Sequence, residues 1–303
     1  MIKQLAKNEF GQVNETQLAT DMQGLTIEHE HCKAQISLYG AQVLTWQPSQ
    51  QHPVFWLSPC ALYKTGKAIR GGVPLCWPWF GTHSNDENKT AGNHGFARQS
   101  FWQVNAVDIT EAGVNISLHW QGENIHSLWP YACRLEQQLF FGKEFHQTLK
   151  MTNLSEQTIE YTGALHNYFC VSHPQNIQID GLSVASFYDQ LTDEHCEAEI
   201  FVNGVGPVDR IYDFTEVANK TLQINDKQWQ RIIEIEPINT QQWVFWNPGT
   251  ALANQMSDID DGGEYNFVCL EAANTDLNAK VQIISANSSV CIGQKIRIKS
   301  TTI

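Results

Sequence analysis

A carboxyl group and an imidazole offer acid–base chemistry in this chain, and two arginines set beside glycines offer an anion clamp. Glu271 follows Phe267-Val-Cys-Leu270, a run apolar at consecutive positions, as in a strand buried on both faces. A carboxyl at the end of such a strand is expected to be partly desolvated, which lifts its pKa toward that of a working base. His166 ends a stretch in which Ile159, Tyr161 and Leu165 alternate with Thr158, Glu160, Thr162 and His166, placing the imidazole on the polar side of a strand. Spacing alone does not separate a working histidine from a merely hydrogen-bonded one, nor a buried Glu271 from one emerging into solvent. Arg70 precedes Gly71-Gly72, and Arg98 closes Asn93-His-Gly-Phe-Ala-Arg98. Glycines let a backbone approach a ligand closely. Guanidinium forks grip phosphate in bidentate fashion, although the same arginines could pair with surface carboxylates instead.

Other patterns fail on inspection. Asp258-Ile-Asp260-Asp-Gly262-Gly263 begins like a calcium-binding loop, but its twelfth position is Cys269 rather than Glu. Gly204-Val-Gly206-Pro-Val-Asp209 lacks the third glycine of a dinucleotide fingerprint, and its proline opposes the helix required there. Glu28-His-Glu-His31-Cys32 would point to alternate faces of a strand. There is no metal-ligand spacing, phosphate loop or nucleophile elbow, so hydrolase, kinase and dehydrogenase readings have no anchor.

The elements that must position these groups read as strands. Val114, Ile116, Leu118 and Trp120 fall on every second position, after a turn at Glu111-Ala-Gly113. Leu135, Leu139 and Phe141 share a face, Gly142-Lys143 turns the chain, and Phe145, Leu149 and Met151 share a face on the return. Strands at this spacing without interleaved helices predict an all-β, antiparallel sandwich. No linker or repeat divides it, so a single domain over 1–303 is expected. Three stretches break the alternation with Gly, Pro and polar clusters, at 69–81, 82–98 and 251–264. Long loops of this kind on a rigid scaffold are where binding residues gather.

Composition narrows the partners. The 303 residues carry 19 Lys+Arg against 32 Asp+Glu, a net charge of −13. Such a surface repels nucleic acid and anionic lipid, so neither is expected as a partner, and an anionic ligand needs specific arginines to overcome the global field. Eight cysteines without a C-x-x-C pair, no apolar leader and no long apolar run predict reduced thiols and a cytoplasmic protein. Ten Trp, fourteen Phe and eight Tyr suit packed sheets first, and stacking on sugar rings second.

Five motifs in order then resemble the hexose-6-phosphate mutarotases (glucose-6-phosphate 1-epimerases) of the aldose 1-epimerase superfamily. They are Ile69-Arg-Gly-Gly-Val-Pro-Leu-Cys-Trp-Pro-Trp-Phe-Gly81, Asn93-His-Gly-Phe-Ala-Arg98, Leu165-His-Asn-Tyr-Phe169, Val208-Asp-Arg-Ile-Tyr212 and Phe267-Val-Cys-Leu-Glu-Ala-Ala-Asn274. Weaker matches at Leu38-Tyr-Gly-Ala-Gln-Val43, Trp246-Asn-Pro248 and Met256-Ser-Asp258 keep the order, so the resemblance runs over about residues 25–298. It implies a galactose-mutarotase-like supersandwich, no cofactor and a concave site for a small sugar phosphate, in a monomer or weak homodimer. It implies His166 and Glu271 as the catalytic pair, and Arg70, Asn93, His94, Arg98 and Asp209 as substrate-binding. Asn93 stands where the family is expected to have Gln, an amide of shorter reach. On this reading Glu271 takes the proton of the C1 hydroxyl and His166, protonated with help from a neighbouring Asp209, protonates the ring oxygen. A mutarotase for unphosphorylated aldoses and a non-catalytic sugar-binding protein are the competing readings.

Overall fold

A computed structural model describes residues 3–88, 90–183, 185–213, 220–279 and 281–301. Lys89, within the loop expected over 82–98, and the ends of the expected 1–303 domain lie outside them. All strand pairings within the sheets are antiparallel. Among the described residues, helix is confined to Gly249–Ala253 and short 3-10 turns. The all-β sandwich is therefore the observed fold.

Three larger sheets make up the molecule. Lys3–Lys7, Gly11–Ala19, Met22–His29, Cys32–Ser37 and Val43–Pro48 form a five-stranded meander. A back sheet of eight strands has at its centre Arg231–Ile238, Ser289–Ser300, Glu144–Asn153 and Cys133–Gly142. The hairpin read from alternation is there, with Phe145 opposite Phe141 and Met151 opposite Leu135, all four buried. The turn at 111–113 is there too, closing Gln103–Thr110 onto Gly113–Gly122.

The front sheet positions the site. Its central strands are Val208–Asp213, Gln242–Asn247, Phe267–Asn274 and Gly163–Leu165, with Leu75–Cys76 at one edge and Tyr168–Cys170 also paired to Phe267–Asn274. One face packs inward: Leu165, Phe169, Tyr212, Trp243, Phe245, Val268, Leu270 and Ala272 join a core that also takes Leu25 and Ile36 from the meander and Leu139, Phe145 and Ile296 from the back sheet. Because side chains alternate along a strand, the intervening residues must project from the other face. That face is the floor of a cavity.

Two expectations change here. Glu271 does not end its strand, which continues through Ala272 to Asn274 with every residue buried. Thr158–His166 is not one strand either. Ile159–Tyr161 pairs with Gln282–Ile284, the chain shifts at Thr162, and Gly163–Leu165 joins the front sheet. Thr158 and Glu160 are exposed, but Thr162 is buried and its hydroxyl accepts the Phe80 N–H at 2.8 Å, so the polar side leaves solvent before His166.

Candidate active site

The register of the front sheet brings the catalytic candidates together. Leu165 pairs with Ala272 and Tyr168 with Cys269, so the register is unchanged across the two residues between them, and His166 falls opposite Glu271. Val244 flanks Glu271 on its other side, and Ile211 flanks Val244. Two residues along, the parallel row is Asp209, Trp246, Cys269 and Tyr168. Both rows project from the face opposite the core. They floor a cavity of about 430 Å³ whose lining includes all seven residues expected from the sequence: Arg70, Asn93, His94, Arg98, His166, Asp209 and Glu271.

His166 Nδ1 lies 3.3 Å from Glu271 Oε1, both side chains being almost wholly buried. The approach lacks hydrogen-bond geometry, and Nδ1 and Glu271 Oε2 have no hydrogen-bond partner among the described residues. Buried polar groups are normally paired, so these two atoms are available to hydrogen-bond a ligand. The imidazole stacks on Tyr168 with ring centroids 4.7 Å apart and planes 3° apart, which fixes its orientation. Burial raises the Glu271 carboxyl well above its ordinary pKa, the Asp209 charge adds to this, and Arg98 opposes it. Burial lowers His166 well below the ordinary imidazole, and the charges of Arg98 and Arg70 push it further down. The empty site thus favours a neutral imidazole beside a protonated carboxyl. This corrects the expected part of Asp209: the carboxylate touching His166 is Glu271, and the field of Asp209 acts on Glu271.

The two arginines reach the cavity differently. Arg70 is held by Gly71 and Gly72, both at positive φ. A Cβ at Gly72 would meet the Val43 carbonyl oxygen at 2.1 Å, which explains the paired glycines. Its Nε donates to Asp258 at 3.1 Å and its Nη1 to the Tyr168 hydroxyl at 2.8 Å. These partners outweigh the cost of burial and keep the guanidinium charged. Arg98 donates through Nη2 to the Asn93 carbonyl at 2.8 Å, while its buried Nε has no partner among the described residues. Arg98 is therefore the less compensated of the two positive charges.

The segment before Arg98 docks on Trp77. His94 and Gly95 both take positive φ, and a Cβ on Gly95 would lie 2.1 Å from the Trp77 carbonyl oxygen. The His94 Nδ1 accepts the Gly81 N–H at 3.1 Å, so the neutral ring carries its proton on Nε2, the nitrogen left to donate to a ligand. Burial and the neighbouring Arg98, His166 and Arg70 hold it neutral. Asn93 spends its side-chain oxygen on the Thr82 hydroxyl at 3.0 Å, and its carbonyl on Arg98. Asp209 accepts from Gln190 Nε2 at 2.5 Å, and burial, with Asp189 nearby, raises its carboxyl to about 6.

Five further residues belong to this site: Tyr168, Gln190, Trp246, Met256 and Asp258. Trp246 and Met256-Ser-Asp258 stand in motifs quoted above without a role, and Tyr168 sits between His166-Asn and Phe169. Gln190 carried no signal. Asp258 comes from the acidic loop that failed as a calcium site, and its function in the fold is to hold Arg70. Among the described residues no group of three or more His, Cys, Asp or Glu is placed to hold a metal ion. No helix among them is long and apolar enough to cross a membrane. All eight cysteines are free thiols.

Known proteins resemble this chain in sequence and in fold. The chain is 32% identical over 279 residues to an Escherichia coli protein provisionally named glucose-6-phosphate 1-epimerase, covering 90% of each. It is 29% identical to a similarly named protein of Cenchrus ciliaris, covering 87% of this chain and 84% of that one. The crystal structure of a Salmonella typhimurium protein provisionally named a mutarotase superimposes with a TM-score of 0.87 at 29% identity, covering 99% of this chain and 96% of that one. A galactose mutarotase-like protein of Clostridium acetobutylicum shares the fold, with a TM-score of 0.71 at 15% identity over 97% and 100% of the two chains. The family model for aldose 1-epimerase matches residues 23–284, and the chain belongs to that family of isomerases.

Proposed function

We propose that the protein interconverts the α and β anomers of a hexose 6-phosphate, glucose 6-phosphate first among them, by acid–base ring opening and reclosure without a cofactor. The observation that carries this reading is the His166–Glu271 pair, 3.3 Å apart on the floor of a sugar-sized cavity that Arg70 and Arg98 also line. Glu271 takes the proton of the C1 hydroxyl while His166 gives one to the ring oxygen. The C1–O5 bond breaks and C1 becomes an aldehyde. Rotation about C1–C2 presents the other carbonyl face, and closure reverses both transfers. Positioned acid–base groups contribute roughly 10²–10⁴-fold each.

The pair needs one proton between its two members, and burial with the neighbouring charges favours placing it on the carboxyl. A bound phosphate beside Arg70 and Arg98 offsets the positive charges that hold the imidazole neutral. Substrate therefore favours moving the proton to His166 and freeing Glu271 as base. His94 Nε2, Asp209 and Gln190 are placed to hold sugar hydroxyls, and Trp246 offers an aromatic ring in the lining.

One observation favours a second reading. Asp258 already compensates Arg70, leaving Arg98 as the stronger phosphate ligand, and a mutarotase for unphosphorylated aldoses would need neither arginine. Anomer exchange on glucose 6-phosphate, galactose 6-phosphate and free galactose, followed side by side by NMR, decides. Preference for either phosphate supports the proposal. Preference for free galactose supports the alternative, and saturable binding without faster exchange would leave a sugar-binding protein.

A further inference from the structure

The core of the sandwich carries a line of amides where aliphatic side chains would be expected. Gln42, Gln137, Gln147, Asn167 and Gln294 are all fully buried. Asn167 Nδ2 donates to the Leu270 carbonyl at 3.0 Å, and the Leu270 N–H returns to the Asn167 carbonyl at 3.3 Å. Asn167 and Gln294 exchange two hydrogen bonds, of 2.8 and 2.7 Å. Gln294 Nε2 then donates to Gln147 Oε1 at 2.8 Å, Gln147 Nε2 to Gln137 Oε1 at 3.0 Å, and Gln137 Nε2 to the Ala41 carbonyl at 2.6 Å.

Both ends of this line adjoin the active site. Asn167 and Leu270 are the chain neighbours of His166 and Glu271 respectively. Ala41 is the neighbour of Gln42, whose Nε2 donates to the carbonyls of Ile69 at 3.1 Å and Gly71 at 2.7 Å, the two residues that bracket Arg70. Gln42 Oε1 is the one side-chain oxygen of the five amides without a partner among the described residues.

We infer that Asn167, Gln294, Gln147, Gln137 and Gln42 are positioning residues, a buried amide spine that fixes His166 and Glu271 at one end and Arg70 at the other. A chain of satisfied hydrogen bonds in a low-dielectric core is directional and stiff, where packed aliphatic groups can slide. Removing one buried amide leaves its partners unsatisfied and destabilises the fold, whereas replacing both members of a pair by apolar groups can be nearly neutral, so the amides are not required for folding as such. The need that such a spine meets is geometry, because small misplacements of reacting groups cost large factors in rate. Beyond the reciprocal Asn167–Gln294 pair the amide donors run one way, from Gln294 to Ala41, so a break at each end disturbs a different part of the site.

This inference rests on the proposed function, so the parent enzyme is assayed first. Gln294→Met breaks the link to Asn167, and Gln137→Met breaks the link to Ala41. For glucose 6-phosphate, Gln294→Met is expected to lower kcat about tenfold or more and to shift the limbs of the pH profile, with KM little changed. Gln137→Met is expected to raise KM for the phosphorylated sugar with kcat and pH profile retained. Should Gln294→Met fail to fold, Gln147→Met breaks the same line one link further out and carries the same expectation. An active parent whose folded variants keep its kcat, KM and pH profile overturns the spine alone. So do variants whose activity merely follows their loss in Tm, without the split. A parent inactive on every hexose phosphate overturns the functional reading, and the inference with it.

Discussion

His166 lies directly across from Glu271 in the antiparallel register of the front sheet, with Nδ1 3.3 Å from Oε1 and no hydrogen bond joining them. Glu271 sits within a strand and His166 in the two-residue gap between two strands paired to it, so neither depends on a long loop for its position. Each keeps a polar atom free for substrate. This relationship is the basis of the first expectations below.

Glu271→Gln and His166→Asn should each lower anomer exchange by about 10²–10⁴-fold while sugar phosphate binding, read by calorimetry, stays within a few fold of the parent. Near-normal exchange in either variant would remove that residue from the chemistry.

Activity against pH should be bell-shaped with a broad top. Protonation of the one-proton pair ends activity at low pH, below the usual imidazole range, because burial and the arginines depress His166. Loss of the shared proton ends it at high pH, above the usual carboxylate range, because burial and Asp209 raise Glu271. Asp209→Asn removes a negative charge near Glu271 and should move the alkaline limb to lower pH. An unmoved limb would show that Asp209 acts only on the sugar.

The same shift makes Glu271 a cost to folding. Below the ordinary carboxylate pKa both folded and unfolded chains are protonated and the cost is nil. As pH rises, the unfolded chain ionises while the folded one resists, so the penalty grows until the raised folded pKa is passed. Glu271→Gln should therefore melt at higher temperature than the parent at pH 8, with the gain shrinking toward pH 4. Calorimetric scans across that range check the sign.

Arg98→Ala should weaken use of glucose 6-phosphate by about 10–100-fold and of free glucose far less, the loss of a charge-assisted contact worth roughly 1.5–3 kcal/mol. Arg70→Ala should cost less, since Asp258 already shares its charge. Equal losses on both sugars in kcat/KM would contradict phosphate recognition by these residues.

Gly95→Ala should damage both stability and activity. Its φ of +66 and the Trp77 carbonyl 2.1 Å from where a Cβ would sit leave no room without moving His94 and Arg98. A lower Tm together with a raised KM is expected. A variant like the parent in both would show that this loop adapts.

Alternation along the strands was enough to establish an antiparallel sandwich, because burial on one face imposes a period of two wherever a sheet covers a core. It also placed Phe145 and Phe141 on facing hairpin strands. The resemblance of short motifs named seven of the residues that line the cavity, since glycines close to Arg70 and Arg98 and the order of the motifs leave local marks. What the chain order could not show is where its strands change partners. The shift at Thr162 and the continuation of Phe267–Asn274 past Glu271 depend on neighbours more than a hundred residues away. Nor could it show Asp258 beside Arg70, Gln190 beside Asp209, or the direction in which each buried charge is pushed. Periodicity is a local property that a single strand must satisfy, whereas a pKa or an ion pair is set by whatever the fold brings near. Only the folded sheet decided that.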